Sequence, residues 1–262
     1  MKKINVLNIF INQDDLESIV NSSISLIKNK KKHYICVPNS FLTVVANENK
    51  KIMEIINSAE FVIPDGMPLV WYSKILKEKL KKRISGYQFF ERYCEQLSKE
   101  GLSCFFLGGI NEKLILDLIE NLKKNFKNIK IAGYYIPPFV EKIEGKLNEE
   151  IISKINEAKP DVVWVGVSAP KQEIWIYENL EKINTYMACG VGAVFDFYSK
   201  RIKRAPNLLQ EMGLEWFYRI ICEPRRLLKK YFIYNTKFIL LVLKTLIKKG
   251  FKICFLFFVI YV

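Results

Sequence analysis

Few side chains in this 262-residue sequence could do chemistry. One acid stands out: Asp65, held between Pro64 and Gly66, after a short apolar run and before a segment of helical pattern. Such an acid has two readings. It can cap the helix that follows, which is the commoner case, or it can face a cleft as a general base that takes a proton from an attacking hydroxyl. A second concentration runs from Ala188 to Tyr231, ACGVGAVFDFYSKRIKRAPNLLQEMGLEWFYRIICEPRRLLKKY. Gly190 and Gly192 close an apolar strand there, the lone acid Asp196 follows, and arginine, lysine and aromatic residues crowd together after it. Guanidinium groups grip phosphates by paired hydrogen bonds and stack on rings, so this mixture suits a flat anionic ligand. The same composition also describes a basic surface helix after a core strand.

Several chemistries are excluded by what is missing. No Asp-x-Asp occurs, so the usual two-carboxylate grip on a metal-bound nucleotide diphosphate is absent. No GxxxxGK[ST] or GxGxxG phosphate loop occurs either. The single histidine, His33, excludes a His-His metal site, and the six cysteines form no CxxC pair. Cysteines inside apolar runs suit buried, reduced thiols in a cytosolic protein. Asn5, Asn8 and Asn12 interrupt the first apolar run, which reads as a strand and not as a signal peptide. The sequence therefore predicts no cofactor and no metal.

The elements that must position these residues alternate between strand and helix. Strands are expected at Ile4–Phe10, Tyr34–Val37, Phe61–Ile63, Ser103–Leu107, Lys130–Tyr134, Val162–Gly166 and Tyr186–Cys189. Helices are expected at Asp14–Lys28, Phe41–Ile56, Met67–Lys79, Tyr87–Lys99, Glu112–Asn125, Lys146–Glu157 and Lys171–Leu180. Leu114, Leu118 and Leu122, four apart, mark one buried helical face. Short buried strands alternating with helices predict a mostly parallel α/β sheet covered on both faces, one domain over residues 1–195. Ligands of such sheets sit beyond the carboxyl ends of the strands. Six of those ends carry Pro, Gly, Asn or Asp, which predicts a shared cleft.

Charge divides the chain. Of 41 Lys and Arg and 27 Asp and Glu, residues 200–262 hold 14 and 3, a net of +11, which leaves +3 for the rest. A basic appendage over residues 196–262 points to a polyanionic partner, an acidic membrane surface or a nucleic acid. Pro224 and Gly250 suit the two ends of a helix. Between them Arg226, Lys230, Lys237, Lys244 and Lys248 form a stripe beside a broad apolar face, as in a helix lying on an anionic bilayer. The alternative is that this apolar face is ordinary core. The ten residues Ile253–Val262 are too few to span and read as a docking segment.

The strand-end motifs, taken together and in order, resemble the WecG/TagA/CpsF glycosyltransferases. They are PDGMPLVW, Arg83 and Gly86, FFLGG, KPDVVWVGVSAPKQEIW, GVGAVFDF, RAP, GLEWFYR and EPRRLLKKY. The resemblance implies a Rossmann-like body and an inverting, metal-independent transfer. The donor would be a UDP-sugar, N-acetylmannosamine being one candidate, and the acceptor a sugar on a polyprenyl pyrophosphate. It implies a peripheral enzyme at the cytoplasmic face of the cell membrane, in teichoic acid, capsule or related polysaccharide synthesis. It assigns Asp65 as the base, Asn39, Arg83 and Gln172 as cleft residues, and Arg204, Arg219 and Arg226 as the arginines that meet pyrophosphate. Val37 stands where relatives often carry threonine, and Ser199 and Lys200 stand where a glycine commonly follows the DF motif. Nucleic-acid binding by the basic tail, a non-catalytic membrane assembly role and a homo-oligomer are the readings left beside it.

Overall fold

The computed structural model describes residues 1–77 and 80–250. The chain runs β1 (Lys3–Val6), β2 (Ile9–Asn12), α1 (Leu16–Lys28), β3 (His33–Cys36), α2 (Ser40–Glu48), α3 (Lys50–Asn57), β4 (Phe61–Val62) and α4 (Met67–Ile75). It continues through α5 (Gly86–Glu100), β5 (Ser103–Gly108), α6 (Glu112–Asn125), β6 (Lys130–Tyr135), α7 (Gly145–Ala158), β7 (Val162–Gly166), α8 (Lys171–Asn179) and β8 (Met187–Gly190). Four helices close it, α9 (Val194–Tyr198), α10 (Asn207–Glu211), α11 (Glu215–Cys222) and α12 (Pro224–Lys248). Six strands form one parallel sheet in the order β4-β3-β8-β7-β5-β6.

Alternation along the central strands builds a core on each face. Val162 and Trp164 of β7, with Cys104 and Phe106 of β5, enter the core that holds α1, α5 and α6. Their neighbours Val163, Val165, Phe105 and Leu107 enter the opposite core with α2, α3 and α8. Both faces are therefore buried, as a parallel sheet requires. Trp164 is the largest fully buried side chain among the described residues, ringed by Phe90, Tyr93 and Phe89 with centroids 4.9, 5.4 and 6.0 Å away.

Two expected elements are different here. The first strand is a hairpin outside the parallel sheet, turning on Leu7 (φ 52°) and Asn8 (φ 65°), where the Asn5 side chain holds the Asn8 N–H. Two residues at positive φ make the tight turn that matches strand twist. Asn12 Oδ1 accepts from Val62 N at 2.8 Å and ties the hairpin to the sheet's edge strand β4. The expected helix Phe41–Ile56 is two helices, α2 and α3. Asn49 leaves helical geometry between them, and its side chain accepts from the N–H groups of Lys51 and Ile52. The expected helix Met67–Lys79 stops at Ile75, with Leu76 as its C-cap and Lys77 at φ 60°, and the segment Ile253–Val262 lies outside the described residues.

Helix α12 starts at Pro224 and is followed by Gly250 at φ 77°, as the end signals predict. Its packing corrects the expected basic stripe. Leu227, Phe238, Val242 and Leu246 are buried, and the helix lies along α2. Lys237 Nζ bonds Glu48 Oε1 at 2.7 Å, and Lys230 Nζ stands 3.7 Å over the Phe41 ring. Two stripe residues thus turn onto the body, because α2 offers a carboxylate and a ring where α12 crosses it. Leu228, Phe232, Leu240 and Ile247 remain exposed.

Trp164 fixes the sheet against α5, so Trp164→Ala is expected to destabilise the fold by about 3–5 kcal/mol through lost transfer energy and the cavity left behind. Chemical denaturation followed by circular dichroism measures it, and a loss below about 1 kcal/mol would show that the aromatic cluster is not central.

Candidate active site

The carboxyl ends of β3, β4, β7 and β8 open into one cavity of about 710 Å³, closed on the far side by α11 and α12. Asn39, Asp65, Arg83, Gln172 and Arg219 all line it. Four strand ends meet there, not the six expected. Gly108 at the end of β5 serves close packing: a Cβ there would lie 2.5 Å from Gly166 O. The Pro137–Phe139 stretch follows the edge strand β6, and Phe139 is exposed.

Asp65 is not a helix cap. Gly66 occupies the N-cap of α4 with no side-chain bond, and the Asp65 N–H is tied to Pro38 O at 3.0 Å. Its carboxylate stays in the cavity, where Arg83 Nη2 approaches Oδ1 at 3.5 Å. The same Nη2 lies 2.5 Å from Glu215 Oε2, and both Arg83 and Glu215 are largely buried. Arg83 is thus shared between two acids and sits closer to Glu215. Burial pushes the Asp65 carboxyl above the usual carboxylate range; Arg83 pulls it back, and Glu215 pushes it up further.

Asn39 lines the cavity while its Oδ1 caps α2 by accepting from Leu42 N at 3.0 Å. Gln172 works chiefly on the loop after β8. Its Oε1 accepts from Gly192 N at 3.2 Å, and its Nε2 donates to Glu173 Oε1 at 2.9 Å. A Cβ on Gly190 would meet the Gln172 amide at 2.6 Å, which accounts for glycine at that strand end. Glu173 lines the cavity, is almost fully buried, and is pushed up to about 7 by burial against the opposing bond from Gln172.

The appendage arginines divide. Arg219 faces the cavity, with its guanidinium 5.3 Å from the Phe197 ring centre and Nη1 3.5 Å from the Tyr231 hydroxyl. Its Nε, like Arg83 Nε and Glu173 Oε2, is buried without a hydrogen-bond partner among the described residues. Arg204 stands behind the cavity wall, 4.4 Å over the Tyr87 ring, bonded to Ser85 Oγ at 3.1 Å and to Glu215 at 3.4 Å. Arg226 pairs with Glu223 at 2.5 Å in an exposed position at the head of α12 and is not among the lining residues. Glu215, Glu173 and Tyr231 were missed by sequence reasoning. Glu215 and Glu173 sit inside motifs already singled out, GLEW and KQE, and for Glu215 an acid in an otherwise basic segment is the available signal.

A family model described as Glycosyl transferase WecG/TagA/CpsF family matches residues 4–252. The chain belongs to this family. It is accordingly a glycosyltransferase, and the cavity at the strand ends is its candidate active site. A protein of Bacillus spizizenii strain W23 is 30% identical over 228 residues, covering 86% of this chain and 84% of its own length. One of Bacillus subtilis strain 168 is 30% identical over 218 residues, covering 79% and 82%. One of Staphylococcus aureus strain NCTC 8325 is 25% identical over 228 residues, covering 86% and 87%. All three are named N-acetylglucosaminyldiphosphoundecaprenol N-acetyl-beta-D-mannosaminyltransferase.

Glu173 gives this glycosyltransferase a measurable pH signature. Its carboxyl is raised in the folded state, so its stabilising share is complete below the unfolded value of 4.5 and is lost as pH rises through about 7. Glu173→Gln removes that loss. The variant is expected to match wild type near pH 4 and to gain up to about 3 kcal/mol over it by pH 8. Thermal melts across that range test this, and a constant gap at all pH values would show that Glu173 ionises freely.

Proposed function

We propose that this glycosyltransferase moves N-acetylmannosamine from a UDP-sugar onto an N-acetylglucosamine carried by a polyprenyl diphosphate, with inversion at the anomeric carbon. The observation that carries the reading is Asp65, a half-buried carboxylate raised above the usual range, in a cavity that also holds Arg83 and Arg219. The acceptor hydroxyl oxygen bonds to the anomeric carbon, the bond from that carbon to the diphosphate oxygen breaks, and the hydroxyl proton passes to Asp65. UDP leaves with the bonding pair. A single displacement of this kind inverts the centre, and one carboxylate suffices as base. A base held above the usual carboxylate range is better matched to a hydroxyl.

Charge growing on the departing diphosphate needs fixed partners. Arg83 supplies a guanidinium group, and residues 85–87 at the first turn of α5 add the positive end of a helix. Asn39 and Gln172 shape the strand-end side, and Arg204 and Arg226 hold the appendage acids Glu215 and Glu223. We assign residues 1–195 to catalysis and 196–262 to the lipid substrate. The acceptor is membrane-bound, and no helix among the described residues is long and apolar enough to cross a membrane. Exposed Phe232, Leu240 and Ile247 beside Lys244 and Lys248 suit peripheral docking on an anionic bilayer at the cytoplasmic face. Nucleic-acid binding finds no comparable support, since Arg83 and Arg204 are turned onto carboxylates and not spread over an open face.

Asp65→Asn is expected to keep the fold and lower kcat by at least about a hundredfold. In wild type, kcat/KM falls at low pH as Asp65 takes a proton. Glu215→Gln removes a negative neighbour and is expected to move that fall to lower pH. Release of UDP measured across pH reads both; near-normal turnover by the Asn variant would remove Asp65 from the mechanism.

Metal-independent transfer is tested separately. Among the described residues no three His, Cys, Asp or Glu side chains gather as a metal group, which supports arginine as the source of positive charge. Activity is expected to survive EDTA, and loss restored by one divalent ion would overturn this part.

A further inference from the structure

The cavity has an apolar end as well as a polar one. Beyond Asp65 and Arg219 it continues between α2, α4 and α12, where its walls turn apolar. On α12 the lining residues are Tyr231, Asn235, Phe238, Ile239, Val242 and Leu243. Their spacing of 4, 3, 1, 3 and 1 keeps them on one face of the helix, and at 1.5 Å per residue they run for about 18 Å along it. Trp71, Tyr72 and Ile75 of α4 face them across the gap, with Phe41 and Leu42 of α2.

The polar and apolar ends meet at one point. The Tyr231 hydroxyl lies 3.5 Å from Arg219 Nη1, so the head of the α12 face adjoins a guanidinium whose Nε is buried without a partner among the described residues. The apolar end also reaches the surface. Ile239 and Trp216 line the cavity and are partly exposed, and Phe217, Leu240 and Phe232 of the same helices stand exposed as well. A ligand that fits has an anionic head at Arg219 and a slender apolar tail that leaves through an apolar rim. A sugar nucleotide has no such tail.

We infer that the gap between α4 and α12 is a slot for the first isoprene units of the prenyl chain, entered sideways from the bilayer with the diphosphate at Arg219. This rests on the acceptor proposed above. The slot holds the lipid in register, so that the sugar beyond the diphosphate comes to Asp65. Chain length then enters recognition through the protein itself and not only through partition into the membrane.

The test uses the full chain in mild detergent, with titration calorimetry of farnesyl diphosphate and inorganic pyrophosphate as probes. Wild type is expected to bind farnesyl diphosphate at least about tenfold more tightly than pyrophosphate. Leu243→Trp on α12 and Ile75→Trp on α4 fill the slot from opposite walls. Each is expected to cut farnesyl diphosphate affinity at least about tenfold while leaving pyrophosphate within about twofold, which also reports an intact fold. Equal binding of the two probes by wild type overturns the slot, as does an undiminished preference in both variants. A preference that the variants abolish, in a protein that transfers no sugar to a prenyl-linked acceptor, keeps the slot and overturns the function proposed above.

Discussion

Arg83 between Asp65 and Glu215 is the contact on which the rest of the site depends. Asp65 follows the edge strand β4, and Glu215 opens α11, so one guanidinium joins the sheet to the C-terminal helices. Arg83 and Glu215 are both largely buried, and each has a second partner, Asp65 for Arg83 and Arg204 for Glu215. The pairing is also asymmetric. At 2.5 Å from Glu215 and 3.5 Å from Asp65, Arg83 spends its strongest bond on the appendage and leaves Asp65 underpaired. A fully paired Asp65 would hold a proton less readily. Docking of α11 and the proton affinity of Asp65 are therefore coupled through this one side chain.

A second constraint is the closeness of the strand ends. Gly166 faces the Phe195 ring, where a Cβ would lie at 2.6 Å, and Gly190 faces the Gln172 amide at the same distance. These approaches let β7 and β8 deliver their loops to one small volume. Gln172 then pins the Gly192 N–H, so the loop after β8 is held by a side chain from the helix after β7. The glycines thus serve protein–protein contact first. Whatever a ligand gains from this loop comes from its fixed shape.

The fold was largely legible because its signal is local. The continuous apolar runs of β5 and β7, the Leu114–Leu118–Leu122 face and the Pro224 and Gly250 ends each follow from residues close in sequence. The hairpin at Leu7–Asn8 was hidden, because Leu rarely takes positive φ and the apolar run looked continuous. The break at Asn49 was hidden too, since the apolar period continues across it into Ile52, Ile55 and Ile56. The site was legible as motifs, not as partnerships. Nothing within the sequence near Asp65 announces Glu215, which is 150 residues away and reaches it only through Arg83. Arg226 shows the converse, a motif arginine whose nearest carboxylate, Glu223, holds it outside the cavity.

Helix α12 shows why spacing alone could not assign its faces. Lys230 and Lys237 are seven residues apart, and so are Phe41 and Glu48 of α2, which they meet. Two turns on one helix match two turns on the other, so the helices run side by side in the same direction over that stretch. Phe41 also meets Tyr234 between them, with ring centroids 4.5 Å apart. The repeat that looked like a basic stripe for a membrane is therefore in part the register of helix on helix. The outer face with Phe232, Leu240 and Ile247 stays exposed, and a third face, from Tyr231 to Leu243, lines the cavity. A helix with three different surroundings cannot be strongly amphipathic in the two-sided sense. Its mixed pattern of lysine and apolar residues is what that division requires.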